Sequence, residues 1–178
     1  MSADGRTLVL GGARSGKSGY AQALLAAQER VRYVATGYPP GDGDPEWAER
    51  VRRHAAQRPP TWQTIETDDL PPVLAQPGPP LLIDCFSVWL ARLMDKHDCW
   101  RAQRTPAGLA GEIAAAVEAW RACPVTAVAV SNETGMGVVP DTWSGRAFRD
   151  QLGLLNQQLA AASDHVWLLV AGLPVRVR

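Results

Sequence analysis

Two kinds of apolar pattern alternate along the chain. Short continuous apolar runs lie at Thr7–Leu10, Val31–Thr36, Leu81–Asp84 and Val125–Glu133, bounded by glycine, proline or polar residues. They predict strands buried on both faces. Between them, apolar residues recur at helical spacing. Tyr20, Ala21, Leu24 and Leu25 share a face over Gly16–Gln28. Ile113, Val117 and Trp120 do so over Ala107–Cys123, and Phe148, Leu152, Leu155 and Leu159 over Ser144–Ser163. These spacings predict helices. Glu46–Gln57 and Ser87–Lys96 also read as helices; the first stops before Arg58-Pro59-Pro60, where proline cannot continue it. Thr61–Thr67 predicts a short strand. Asp68–Pro80 reads as a loop with room for one helical turn, and His97–Pro106 as a plain loop. The C-terminal VWLLVAGLPVRVR predicts two strands around a Gly172–Pro174 turn.

Strands alternating with helices predict one α/β domain over residues 1–178, a mostly parallel sheet with helices on both faces and a C-terminal β-hairpin. In such sheets ligands bind at the carboxyl ends of the strands. The segments there, 11–18, 36–37, 84–87 and 131–137, are largely polar or glycine-rich.

The charge balance narrows the partners. Eighteen basic and eighteen acidic residues cancel, so the basic footprint of a nucleic-acid binder is missing and no nucleic-acid partner is expected. No apolar run reaches the length of a membrane span. The first residues lack a basic n-region, so no signal peptide is expected. Cys85, Cys99 and Cys123 form no CxxC pair. Together these features predict a reduced, cytoplasmic protein without structural zinc.

The strongest chemistry lies in TLVLGGARSGKS, Thr7–Ser18. A strand-like run meets G-x-x-x-x-G-K-[ST], and a helical run follows, which is the context of a phosphate-binding loop. Glycines let the backbone turn so that its N–H groups point at phosphate oxygens. The helix adds its positive dipole end. Lys17 can reach β- and γ-phosphates, and the Ser18 hydroxyl can ligate Mg2+. Asp84 ends a buried run and reads as the second Mg2+ contact or as a helix cap, with Glu133 the alternative acid. His54 stands among Arg50, Arg52, Arg53 and Arg58. That basic cluster could hold a triphosphate, and nearby cations favour a neutral imidazole able to attack phosphorus. Spacing alone favours a solvated basic helix face over that chemistry, and Arg52 and Arg53 point different ways on a helix. His97 and His165 carry no predicted role.

Several motifs in order then resemble one family. GGARSGKS is followed by YVATG, by R-V-x-x-H with RP four residues on, and by W-x-T-x-E. IDCFSVWLARLM, SNETGMGVVP, GRAFRDQLGLLNQ and ASDHVWLLVAGLPVRV continue to the C-terminus. Together they resemble the bifunctional adenosylcobinamide kinase/adenosylcobinamide-phosphate guanylyltransferases of cobalamin synthesis.

The resemblance implies a RecA-like P-loop fold and two reactions. The first phosphorylates the aminopropanol hydroxyl of adenosylcobinamide with ATP or GTP. The second transfers GMP from GTP to that phosphate through a guanylyl-histidine, giving adenosylcobinamide-GDP and pyrophosphate. The matching histidine is His54, with Lys17 the other catalytic residue. Nucleotide contacts carried over are Gly11, Gly12, Ala13, Arg14, Ser15, Gly16, Lys17 and Ser18 in the loop. Beyond it they are Ala35, Thr36, Gly37, Ala55, Ala56, Gln57, Arg58, Glu66 and Asp84. Ser18 and Asp84 would hold Mg2+. The corrinoid is the small-molecule partner, and a homo-oligomer, a trimer, is implied.

The histidine helix follows the glycine- and proline-rich stretch Gly37–Pro45, from which a helix that moves over bound GTP is expected. Ala55, Arg92 and Thr134 depart from the family's usual residues. Two rival readings are a plain small-molecule kinase, which leaves His54 idle, and a nucleotide-dependent switch that transfers nothing.

Overall fold

The computed structural model describes residues 4–39, 45–56 and 58–178. Seven strands form one sheet: β1 (Arg6–Gly11), β2 (Arg32–Ala35), β3 (Gln63–Glu66), β4 (Leu81–Asp84), β5 (Ala127–Asn132), β6 (His165–Val170) and β7 (Leu173–Arg176). Their order is β3-β2-β4-β5-β1-β6-β7. All pairs are parallel except β6–β7. The helices are α1 (Lys17–Leu24), α2 (Pro45–Ala56), α3 (Leu70–Ala75), α4 (Phe86–Lys96), α5 (Cys99–Ala102), α6 (Ala107–Arg121) and α7 (Trp143–Ala161).

Strand alternation splits the core in two. Leu8, Val34, Ile83 and Ala129 face a layer built from α3, α4, α6 and α7, centred on the buried Trp89, Trp120 and Phe86. Val9, Tyr33, Leu82 and Val128 face the other way, against Ala21, Leu24, Leu25 and Trp62. Both faces are covered, as expected for continuous apolar runs in a parallel sheet.

Three expectations are corrected. Helix α1 ends at Leu24, not Gln28. The chain turns back toward β2, and the amides of Leu25, Ala26 and Gln28 bond three residues back to Gln22, Ala23 and Leu25, in tightened turns rather than α-helix. The stretch read as a plain loop, His97–Pro106, contains α5. Its Cys99 is fully buried and its Trp100 packs on the core, which favours a helical turn that sinks both. The hairpin turn is Ala171-Gly172, both with positive φ (51° and 82°), a pair suited to a two-residue hairpin. Pro174 therefore lies inside β7, an edge strand that tolerates it.

The order places one strand, β5, between the phosphate-loop strand β1 and the acid-bearing strand β4. The ends of β1, β2, β4 and β5 consequently open on the same edge of the sheet. The turn of the last hairpin also supports the loop, since Gly172 N–H donates to the Ser15 carbonyl at 3.0 Å.

Candidate active site

The loop between β1 and α1 turns on Gly16, which has φ 90° and caps α1. A side chain there would be strained. Lys17 Nζ donates to the Gly12 carbonyl at 3.1 Å, folding over the loop it is expected to serve. A cavity of about 630 Å³ is lined by Ala13–Gly19, by Glu46, Glu49, Arg53 and His54 from α2, and by Asn132 at the end of β5. Gly11 lies buried beneath the loop, and Gly12 is exposed at its rim.

A second cavity, of about 80 Å³, lies beside it. Ala35, Gly37, Tyr38, Trp47, His54, Arg58, Glu66, Asp84 and Cys85 are among its walls. His54 lines both cavities. Its ring stands at the divide, with Nδ1 3.6 Å from Asp84 Oδ2 and its side chain 32% exposed. Cations were the expected neighbours of this ring; Arg53 and Arg58 share its cavities, and the structure adds a carboxylate at Nδ1. Helix-local pairing explains part of the difference. Arg52 and Arg53 both lean on Glu49, at 2.7 and 3.9 Å, so the basic face is partly neutralised within one turn. Only Arg53 of this pair reaches the phosphate-loop cavity.

Asp84 is the hub. Its Oδ1 lies 3.5 Å from Ser18 Oγ, and its Oδ2 accepts the Tyr33 hydroxyl at 2.8 Å. Burial pushes its carboxyl up, but His54, the Tyr33 hydroxyl and Ser18 outweigh it and hold Asp84 below the ordinary carboxylate range. An ionised Asp84 and the Ser18 hydroxyl form an oxygen-only donor pair of the kind a hard divalent cation accepts. Among the described residues, no three of His, Cys, Asp and Glu converge into a metal cluster. Glu133 is turned elsewhere, its Oε1 accepting the Gly135 N–H at 2.7 Å.

Two backbone devices place Asp84. Thr36, fully buried, donates from its hydroxyl to the Cys85 carbonyl (2.8 Å) and accepts the Cys85 N–H (3.0 Å). The end of β2 is thus clamped to the end of β4. Arg92 of α4 donates to the carbonyls of Thr36 (3.0 Å) and Gly37 (2.9 Å). Gly37 is required by contact: an added Cβ would lie 2.7 Å from the Trp47 ring.

The structure therefore gathers Ala13 to Ser18, Ala35, Gly37, His54, Arg58, Glu66 and Asp84 about two adjoining cavities. Thr36 serves the scaffold instead. Ala55 and Ala56 are exposed and line neither cavity, because successive helical residues turn away from the face His54 occupies. Gln57, the backbone of residues 40–44 in the Gly37–Pro45 stretch and the Arg50 side chain lie outside what is described. His97 bonds Glu112 at 2.9 Å, bridging α4 and α6. Sequence reasoning did not single out Tyr33, Trp47 or Asn132. Tyr33 lies within an apolar strand and Trp47 among seven tryptophans, so neither stood out. Asn132 sat at a strand end already marked as polar.

The family model described as cobinamide kinase / cobinamide phosphate guanyltransferase matches residues 7–177. The bifunctional adenosylcobalamin biosynthesis protein CobU of Escherichia coli K12 is 39% identical, covering 96% of this chain and 98% of that protein. Its Salmonella typhimurium counterpart is 36% identical over the same shares. A prototypical ATPase of the type III secretion system aligns over 98% of this chain and 57% of its own, with a TM-score of 0.56 and 11% identity. That likeness concerns the fold alone. With the family match running from the first strand to the last, the chain belongs to the cobinamide kinase/cobinamide phosphate guanyltransferase family and is a bifunctional kinase and guanylyltransferase.

Proposed function

We propose that this enzyme phosphorylates adenosylcobinamide with ATP or GTP and then moves GMP from GTP onto the new phosphate through a guanylylated His54. The observation that carries the reading is His54 at the divide between the phosphate-loop cavity and the pocket of Ala35, Gly37, Arg58 and Glu66. A histidine so placed can meet an α-phosphate whose β- and γ-phosphates rest on the loop. A plain kinase has no use for it there.

In the kinase step, Lys17 and the loop amides hold the phosphates and offset developing charge. Ser18 and Asp84 would hold Mg2+. That ion supplies charge neutralisation at the phosphates. In the transferase step, Asp84 Oδ2 faces Nδ1–H of His54 and leaves Nε2 free. The Nε2 lone pair forms a bond to the α-phosphorus as the bond to the bridging oxygen breaks. Pyrophosphate leaves with that electron pair. Positive charge on the ring is offset by Asp84. An oxygen of adenosylcobinamide phosphate then attacks, and the P–N electrons return to the ring. In-line geometry is what α2 must provide.

One domain over residues 1–178 carries both steps in this reading, and the enzyme is cytoplasmic. No helix among the described residues is long and apolar enough to cross a membrane. A homo-oligomer, a trimer, belongs to the same proposal. Exposed Leu173, Val175 and Val177 on the edge strand and its extension support it.

The test is label transfer without acceptor. Protein and Mg2+ are incubated with GTP labelled at the α- or, separately, the γ-phosphate. The expected product retains α-label only, survives alkali, is lost in acid and is absent in His54→Ala. A wild-type protein that retains no α-label would return the reading to a plain kinase.

A further inference from the structure

We propose that Tyr33 is a positioning residue for guanylyl transfer, acting through Asp84 on His54, and that Arg58 closes the same circuit from the other side. The inference rests on His54 being the nucleophile.

The contacts form a closed ring. Tyr33 of β2 donates its hydroxyl to Asp84 Oδ2 at 2.8 Å. The same oxygen faces His54 Nδ1 at 3.6 Å. The His54 carbonyl accepts from Arg58 Nε at 3.0 Å. The Arg58 guanidinium lies 3.9 Å over the Tyr33 ring, and Thr64 fixes it further by accepting from Nη1 at 2.8 Å. The nucleophile is thus held at its ring and at its backbone, and both holds lead back to one tyrosine.

The phenol matters because Asp84 has two tasks. Its Oδ1 looks toward Ser18 and the phosphate loop, at 3.5 Å. Its Oδ2 must look toward the histidine. A carboxylate free to rotate would serve either task at the expense of the other. Tyr33 is only 3% exposed, and a buried phenol holds tightly to its acceptor. Its hydrogen bond commits Oδ2 to the His54 side and leaves Oδ1 to the loop. The Arg58 plane over the tyrosine ring is a guanidinium–aromatic stack that a lysine does not reproduce. Tyr33 itself need not touch the reacting atoms.

Rapid-quench labelling with α-labelled GTP, over a range of GTP concentrations, reads the effect. Tyr33→Phe keeps the ring and removes the donor. We expect its maximal rate of guanylylation to fall about 10–100-fold, the loss typical of a misplaced reacting group, with half-saturating GTP changed less than about threefold. Arg58→Lys keeps the charge and loses the plane, and its maximal rate falls as well. The double variant falls by less than the product of the two, because one circuit is broken twice. A wild-type maximal rate in Tyr33→Phe overturns the proposal, and so does a loss confined to half-saturating GTP. Should Tyr33→Phe fail to melt cooperatively, Arg58→Lys decides alone by the same criterion. Wild-type protein that takes no α-label, or a His54→Ala variant that still takes it, removes the underlying reading instead. Label on the wild type and none on His54→Ala leaves that reading standing whichever way Tyr33 falls.

Discussion

Thr36 shows how much a single hydroxyl can organise. It was expected to touch nucleotide, yet it is fully buried and spent on both polar groups of the Cys85 backbone. Thr36→Val nearly preserves the shape and removes both bonds. The Cys85 N–H and C=O would then be buried without that partner, at a cost of about 1–3 kcal/mol. We expect a lower urea midpoint with an unchanged slope, since the surface exposed on unfolding is the same. Guanylylation should weaken too, because Asp84 precedes the clamped residue. An unchanged midpoint would mean that the clamp contributes nothing. The neighbouring Tyr33 phenol and Cys85 thiol are both pushed up by burial, so each stays protonated at neutral pH. At this scale the sequence was legible where a motif dictates placement, as where Ser18 meets Asp84 beside Lys17. It was opaque where a residue acts through the backbone of a distant strand, as Thr36 and Arg92 do. Strand pairing, not spacing, brings those partners together.

Helix α2 is the element on which the transferase reading turns. Its basic surface and its proline stop were visible in the sequence, but its seat was not. That seat depends on Trp47, whose indole N–H donates to the Tyr38 carbonyl at 3.0 Å and whose ring lies against Gly37. The backbone at Gly37 is not in the left-handed region, so the glycine is needed for space alone. Gly37→Ala should therefore fold, with a thermal midpoint close to wild type. The added methyl must displace the Trp47 ring, 2.7 Å away, and with it the start of α2. A displacement near 1 Å at the nucleophile costs up to about 100-fold, so guanylylation should fall about 10–100-fold in the labelling assay. Wild-type guanylylation in this variant would show that α2 is placed by other contacts. The same reasoning explains the misread ends of other elements. Where α1 stops and where α5 forms are decided by the return path to β2 and by burial of Cys99 and Trp100. Neither is a property of local periodicity.

Across the whole molecule, the sheet order converts a linear series of motifs into one edge. Alternating strands and helices made a parallel sheet legible, and the glycine-rich and polar strand ends pointed to the right side of it. The order itself was not legible, because apolar runs such as Leu81–Ile83 and Val128–Val130 do not name their neighbours. The frame is closed at the opposite end of the sheet, where Asp164 ties the start of β6 to the start of β1. Its carboxylate accepts from the Arg6 guanidinium at 3.0 Å through both oxygens and from the Arg6 N–H at 2.8 Å. These bonds, from the guanidinium first and the backbone second, hold Asp164 down to about 2, against about 3.9 for an unfolded chain. The folded state therefore binds this proton less readily than the unfolded state. The stabilisation is fully present above about pH 4 and disappears as pH falls through about 2. The Asp164 side chain is 42% exposed, so solvent screening limits the gain to about 0.5–1 kcal/mol. Asp164→Asn keeps an acceptor for the Arg6 N–H but loses the charge. Its stability deficit in urea should be near that value at pH 7, shrink below pH 4 and vanish near pH 2. A deficit that does not change with pH would assign the role of Asp164 to shape rather than to charge. Because the pair lies far from the phosphate loop, label transfer from GTP at pH 7 should be unaltered in the same variant. A loss of labelling there would mean that the two ends of the sheet are mechanically coupled through β1.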